Sequence, residues 1–242
     1  MNVKQQGNTY FIHADDYSAL NSESFDPNYW REQNAIVNEK KGRATAYFVK
    51  LPHSTIAVLR HYWRGGLIGK ILSDQYLFLG LKKTRIYQEF ALLCALHSQG
   101  LTVPKPIAAH VKRSGLIYRG DILTQAIANA ESLCERMQKQ RMSDSSWEAI
   151  ATTIAKFHKA GVYHADLNIN NILFSTNNRI YLIDFDRGEL RTPALQWQKE
   201  NMARLKRSFY KEAHRQETFY FSEKNWQTLE QYYENAMRKA VV

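Results

Sequence analysis

The spacing of apolar residues changes partway along the chain. The runs TAYFVKL (45–51) and TIAVLRHY (55–62) are rich in β-branched and aromatic residues and flank PHS, which predicts a hairpin-like pair of strands. From Thr84 the period lengthens. Ile86, Phe90 and Leu93 recur on one face, Leu92 and Leu96 widen the stripe, and Gly100 marks a stop, so about four turns of helix are expected. After TVPKP the pattern shortens again, and AAHVK and GLIYRGDILTQAI read as two more strands.

Beyond residue 130 the helical period dominates. Trp147, Ile150, Ile154 and Phe157 form one stripe that opens with Ser145 and Glu148 in capping-box register and stops at Gly161. Met202, Leu205 and Phe209, then Trp226, Leu229, Tyr233 and Met237, mark two further amphipathic helices. Between Gly161 and Met202 the polar stretch YHADLNINNILF (163–174) runs into STNN and IYLIDFD, two short strands around a tight connection. No repeat or low-complexity tract interrupts this order. A strand-rich part joined to a helical part near residues 124–130 predicts an α+β chain of two lobes with a cleft between them. The expected boundaries are 1–125, with an N-terminal extension and one main helix, and 126–242, mostly helical.

Composition narrows the classes. A chain of 242 residues with 44% hydrophobic and 12% aromatic residues folds rather than remaining disordered. Its formal charge of +10 favours an anionic partner: nucleotide, nucleic acid, acidic lipid or phosphorylated sugar. Residues 39–90 hold ten basic side chains against three acidic ones, so that part is the expected anion-binding surface, with a merely solvated basic face as the alternative. Cys94 and Cys134 lie far apart without metal-type spacing and read as reduced, buried small hydrophobes, which suits a cytosolic protein. The first twenty residues lack the apolar core of a signal peptide, and no run of eighteen apolar residues occurs, so any membrane is met from outside.

The tripeptide HAD occurs twice, at His13 to Asp15 and at His164 to Asp166. Only the second is followed five residues later by an amide, Asn171; the first has Leu20 there. Asp184 ends the next strand pair, so Asn171 and Asp184 can share a hard cation such as Mg²⁺, completed by phosphate oxygens, while Asp166 stays available. These residues resemble the protein-kinase-like signature of an HxD-x4-N loop followed by Asp-Phe. In that pattern a cation on the third strand pairs with a helix glutamate and holds nucleotide phosphates, which places Arg60 of AVLR opposite Glu89. Gly42 of KKGRAT is what remains of a phosphate-covering loop. Arg60 stands where lysine is usual, Asp186 where the glycine of Asp-Phe-Gly would be, Asn168 where protein kinases carry lysine, and no Ala-Pro-Glu follows. These departures point away from protein kinases and toward small-molecule and lipopolysaccharide kinases.

The segments RHYWRGGL, YLFLGLKKTRIYQEFALLCALHSQGLTVPKPIAA, GVYHADLNINNILF and YLIDFDRGELR resemble the 3-deoxy-D-manno-octulosonic acid (Kdo) kinase family of Gram-negative bacteria. The resemblance implies ATP-dependent phosphorylation of the 4-hydroxyl of Kdo on a Kdo-bearing lipid A precursor. It also implies the cytoplasmic face of the inner membrane as the place and lipopolysaccharide core synthesis as the context. Asp166 is then the base or orienting carboxylate, Asn171 and Asp184 the Mg²⁺ ligands, and Arg60, Glu89 and Gly42 the ATP-binding set. The structural alternatives are a loop-capping Asp166, turn chemistry at Asn171 and Asp184, with Asn170 as the functional amide in a shifted register, and a purely structural Arg60–Glu89 pair. His164 is expected to brace the loop, and Glu131 either meets a ribose or starts a helix in solvent. RHYWRGGLIGK and YLFLGLKK either dock on an anionic bilayer or belong to the core. Other readings are a sugar or aminoglycoside-type phosphotransferase, a non-catalytic kinase-like scaffold, and a basic RNA-binding protein, though no nucleic-acid module is recognisable. No obligate protein partner is evident.

Overall fold

The computed structural model describes residues 1–14, 20–40, 45–64 and 74–239; Gly42 lies outside them, as does most of RHYWRGGLIGK. Two compact units emerge, one formed by residues 1–95 and 104–126, the other by 96–103 and 127–242. The first is an antiparallel sheet with helices on both faces; the second is mostly helical. The mixed α+β class is the one the residue pattern predicts.

In the first unit the strands are β1 (Asn2–Gln6), β2 (Thr9–His13), β3 (Ile36–Lys40), β4 (Ala46–Lys50), β5 (Ile56–His61), β6 (Tyr76–Leu77), β7 (Pro106–Ser114) and β8 (Ile117–Gln125). Their order is β1-β2-β7-β8-β5-β4-β3, with β6 also on β8. The anticipated hairpin is β4–β5, and β7 and β8 fall where the apolar runs lie. The first hairpin, β1–β2, gave no signal, because NVKQQ is exposed at every position and carries one apolar residue.

Strand alternation divides the sheet's side chains between two faces. Leu59 pairs with Leu123, and both join Trp30 and Phe25 in the core beneath α1 (Pro27–Glu32). The Asp26 side chain accepts the Asn28 N–H at 2.9 Å and so starts that helix. The alternate residues, Arg60 and Ile122, share the opposite face. There α2 (Arg85–Ser98) comes close at Gly120: a Cβ on that residue would lie 3.0 Å from the Ile86 side chain and 2.3 Å from the His110 carbonyl oxygen. Ile86 and Phe90 are wholly buried, as their spacing predicts, whereas Cys94 on the same helix is only partly buried.

The second unit contains β9 (Glu131–Ser132), α3 (Leu133–Lys139), α4 (Asp144–Lys159), β10 (Val162–Tyr163), β11 (Ile172–Phe174), β12 (Ile180–Leu182), β13 (Glu189–Leu190), α5 (Leu195–Arg215) and α6 (Glu223–Arg238). Trp147, Ile150, Ile154 and Phe157 of α4 are buried, and α6 packs along the same helix. The cap of α4 is Ser143, not Ser145: its hydroxyl accepts the Ser146 N–H at 3.2 Å. That earlier start puts the Asp144 carboxylate in the first turn, where the helix dipole favours it. Glu131 lies on β9, not at a helix start, and its carboxylate is paired with Lys139 at 2.6 Å.

Candidate active site

The stretch that follows α4 is bent by two short strands. Gly161 opens it, because a Cβ there would sit 2.2 Å from the Arg191 carbonyl oxygen; β10 then pairs with β13 through Val162–Leu190 and Tyr163–Glu189. From His164 to Asn171 the backbone forms a loop, and β11 begins at Ile172, paired antiparallel with β12.

Most polar groups of that loop are spent on holding it. The His164 ring is buried; its Nε2–H donates to the Ile183 carbonyl at 2.9 Å, which leaves Nδ1 to accept the Asp166 N–H at 3.1 Å. This pair of bonds requires a neutral ring. Burial, only partly offset by the Ile183 carbonyl and the charges of Asp184 and Asp166, holds the His164 pKa below the ordinary histidine value. His164 thus braces the loop, as expected. The Asn168 and Asn171 amides both donate to the Asp166 carbonyl at 2.9 Å, and Asn168 Oδ1 accepts the Asn170 N–H at 2.9 Å. Asn170 is exposed and Asn171 is buried.

Two oxygen groups are left over. The Asp166 side chain is exposed and takes no hydrogen bond among the described residues. Asn171, having committed its NH₂ to Asp166, keeps Oδ1 without a partner among them. Asp184 is brought beside this amide by the backbone: the Ile183 N–H donates to the Asn171 carbonyl at 3.0 Å. Asp184 itself has φ +63°, a left-handed conformation that is uncommon for a residue with a side chain. Phe185 anchors the bend from the next position, wholly buried and stacked on Phe157 with centroids 5.9 Å apart. An amide oxygen and a carboxylate on adjoining backbone fit a hard divalent cation such as Mg²⁺, which needs few protein ligands when phosphate and water complete its shell.

A second cluster lies in the first unit, on the α2 face of the sheet. Glu89 is 2% exposed, and each of its carboxylate oxygens has a donor: Arg60 reaches Oε1 and the Tyr62 hydroxyl reaches Oε2. Arg60 also lies over the Tyr62 ring, 5.4 Å from its centroid. The residues expected to pair therefore do so, and Tyr62 is an addition that the sequence reading missed.

The sequence pattern of the Lipopolysaccharide kinase (Kdo/WaaP) family matches residues 27–233. The chain belongs to that family. Membership makes it a kinase, and both clusters fall within the matched span. Similar proteins bearing the name 3-deoxy-D-manno-octulosonic acid kinase include one from Vibrio vulnificus, 44% identical over 211 residues that cover 87% of this chain and 88% of the relative. One from Mannheimia succiniciproducens is 40% identical over 239 residues, covering 96% and 98%. One from Actinobacillus succinogenes is 38% identical over 241 residues, covering 97% and 100%.

Within this lipopolysaccharide kinase two supports of the site were not foreseen. Asn201 of α5 is wholly buried and accepts the His164 N–H at 3.1 Å, and Ser208 of the same helix accepts the Ile169 N–H at 3.2 Å. The signal for Asn201 was an amide lodged in an apolar stripe with Met202 and Leu205. For Tyr62 it was a phenol two residues beyond Arg60, on the same face of an extended segment.

Proposed function

We propose that this chain transfers a phosphoryl group from ATP to the 4-hydroxyl of a Kdo residue on a Kdo-bearing lipid A precursor, with Mg²⁺ as cofactor. The observation that carries this reading is the exposed Asp166 carboxylate, left unused on a loop whose other polar groups are nearly all bonded. The names of the full-length relatives support Kdo as the acceptor.

In this reading Asp166 accepts a hydrogen bond from the sugar hydroxyl and takes its proton late, as the new O–P bond forms and the bond from the γ-phosphorus to the departing ADP breaks. Asn171 and Asp184 are the residues that would hold Mg²⁺, which when bound neutralises charge on the phosphates. Arg60, fixed by Glu89, offers a planar guanidinium to phosphate oxygens in place of the usual ammonium. The KKGRAT segment with Gly42, which lies outside the described residues, is assigned to covering the same phosphates.

The place of action is proposed as the cytoplasmic face of the inner membrane. Among the described residues no helix is long and apolar enough to cross a membrane. Leu77, Leu79 and Leu116 are 58%, 63% and 74% exposed, beside the exposed cations Lys82, Lys83 and Arg113. That combination suits an anionic lipid surface.

Mass spectrometry of Kdo-bearing lipid A precursor after incubation with the protein and Mg-ATP tests the assignment. One added phosphate on the Kdo is expected; its absence, with ATP consumed on another sugar, would move the substrate but keep the kinase. Co-sedimentation with vesicles is expected only when anionic lipid is present, and no difference would remove the membrane role.

A further inference from the structure

The face of the first sheet that lies away from the Arg60–Glu89 pair holds a cavity of about 520 Å³. Phe25, Tyr47 and Trp63 line it together with Asp26, Asp74 and Asp121. His61 and His110 line it as well, one register step from the phosphate-directed face: His61 pairs with Asp121 across β5 and β8, as Arg60 does with Ile122 on the other side.

Among the described residues that line it, the cavity's charge is opposite to that of the chain. Of 33 Lys and Arg residues, none is among the described residues that line it. Arg119 approaches from outside the lining and pairs with Asp74 at 2.7 Å. The Asp121 oxygens take the two imidazoles, His61 Nδ1 at 2.7 Å and His110 Nδ1 at 3.3 Å, while His61 Nε2 lies 3.5 Å from Asp74. Even with Arg119 and a protonated His61 set against the three aspartates, one negative charge is left over. Among the described residues this balance favours a cationic over an anionic occupant.

The ring of His110 adds a demand for a donor. It is 9% exposed and stacked between Phe11 and Phe25, with centroids 5.4 Å and 5.1 Å away. With Nδ1–H given to Asp121, its Nε2 is a buried acceptor that has no hydrogen-bond partner among the described residues. A buried acceptor left without a donor is costly, so a ligand that supplies one gains from it. Aromatic walls, surplus carboxylate and an unserved acceptor are together the complement of an ammonium group on an apolar body.

We propose that this cavity binds an organic cation carrying N–H donors on an apolar body, a primary ammonium being the simplest case, at a site separate from phosphoryl transfer. The test is saturation-transfer NMR of the whole chain with three probes of one shape: cyclohexylammonium, cyclohexanol and cyclohexanecarboxylate. Cyclohexylammonium is expected to give the strongest transfer. Its affinity should fall at least fivefold in Trp63→Ala and in Asp74→Asn, with thermal unfolding of both variants unchanged enough to show they are folded. Equal transfer from all three probes, preference for the carboxylate, or undiminished binding in both folded variants would overturn the proposal. These outcomes are independent of whether the protein phosphorylates Kdo, because no phosphoryl donor or acceptor is in the sample.

Discussion

The polar clusters described above are secured by different means in the two units. In the first, charge does it: Glu89 is held by Arg60 and Tyr62, and Asp121 by His61 and His110. Burial alone would lower the His61 pKa, but Asp121, with Asp74 behind it, outweighs burial and holds the pKa above the ordinary histidine value. In the second unit neutral rings do the work. His164 and His158 are both held below the ordinary value by burial, His158 at about 4. The difference has a functional side. A loop braced by a neutral imidazole and amides leaves the Asp166 carboxylate unspent, whereas a carboxylate that braces, such as Glu89, is consumed in bracing.

The largest effect should therefore come from the residue that braces nothing. Asp166→Ala is expected to lower turnover by ~10²–10⁴, the usual worth of a general base. Its unfolding midpoint should match the parent's, because the loop's bonds use the Asp166 backbone and not its carboxylate. A variant that turns over normally would remove Asp166 from the chemistry. One that unfolds several degrees early would make it a structural cap instead.

Arg60→Ala should show the opposite balance. It leaves Glu89, with 1% of its side chain exposed, charged and short of one donor. Breaking a buried pair in this way costs on the order of 3 kcal/mol. Denaturant unfolding of Arg60→Ala is expected to show a loss of that order, together with weaker ATP binding by calorimetry. Unchanged stability would mean that the first unit does not depend on its charge pair.

Acid should separate the units. The unfolded chain protonates His158 below its ordinary value of 6.5, but the folded chain resists until about pH 4. The stability contributed by the neutral ring is thus complete above pH 6.5 and is lost as pH falls from 6.5 towards 4, by about 2 kcal/mol at pH 5. His61, whose pKa is raised, acts in the other sense: its contribution is full at low pH and is lost as pH rises through its folded value. Unfolding free energies at pH 7.5 and pH 5.0 should differ by about 2 kcal/mol more in the parent than in His158→Gln. An equal difference in the two proteins would contradict the assignment of the acid loss to His158.

How much of this was legible in the sequence follows the same division. Helices α2, α4, α5 and α6 announced themselves because each buries one stripe, and a stripe has a period that sequence alone displays. Strand β1 has no buried side, so nothing in NVKQQ distinguishes it from a loop. Asp166, Asn171 and Asp184 stood out because their spacing is fixed by a loop and a hairpin that are local in the chain. The pairing of Arg60 with Glu89 was readable from a family pattern, yet Tyr62 was not, since its partner lies 27 residues away and a phenol on a strand is usually core. Nothing in the order of residues hinted at the cavity beside His61. It is assembled from α1, β4, β5, β7 and β8, and its aspartates are scattered over nearly a hundred positions.

The finest test of the comparison is Tyr62→Phe. Phenylalanine keeps the ring, which is 5% exposed and lies under the Arg60 guanidinium, so packing and the cation–π contact are retained. What it removes is the hydroxyl, and with it the donor to Glu89 Oε2. A hydrogen bond to a charged group contributes roughly 1.5–3 kcal/mol, and the lower end is expected here because Arg60 still neutralises the carboxylate. The loss should shrink to a few tenths of a kcal/mol in a Glu89→Gln background, where the acceptor carries no charge. Undiminished loss in that background would assign Tyr62 to packing. A loss confined to the charged background would instead show that the first unit fixes Glu89 from both sides, so that the guanidinium occupying the usual lysine position is aimed by a phenol as well as by its own ion pair.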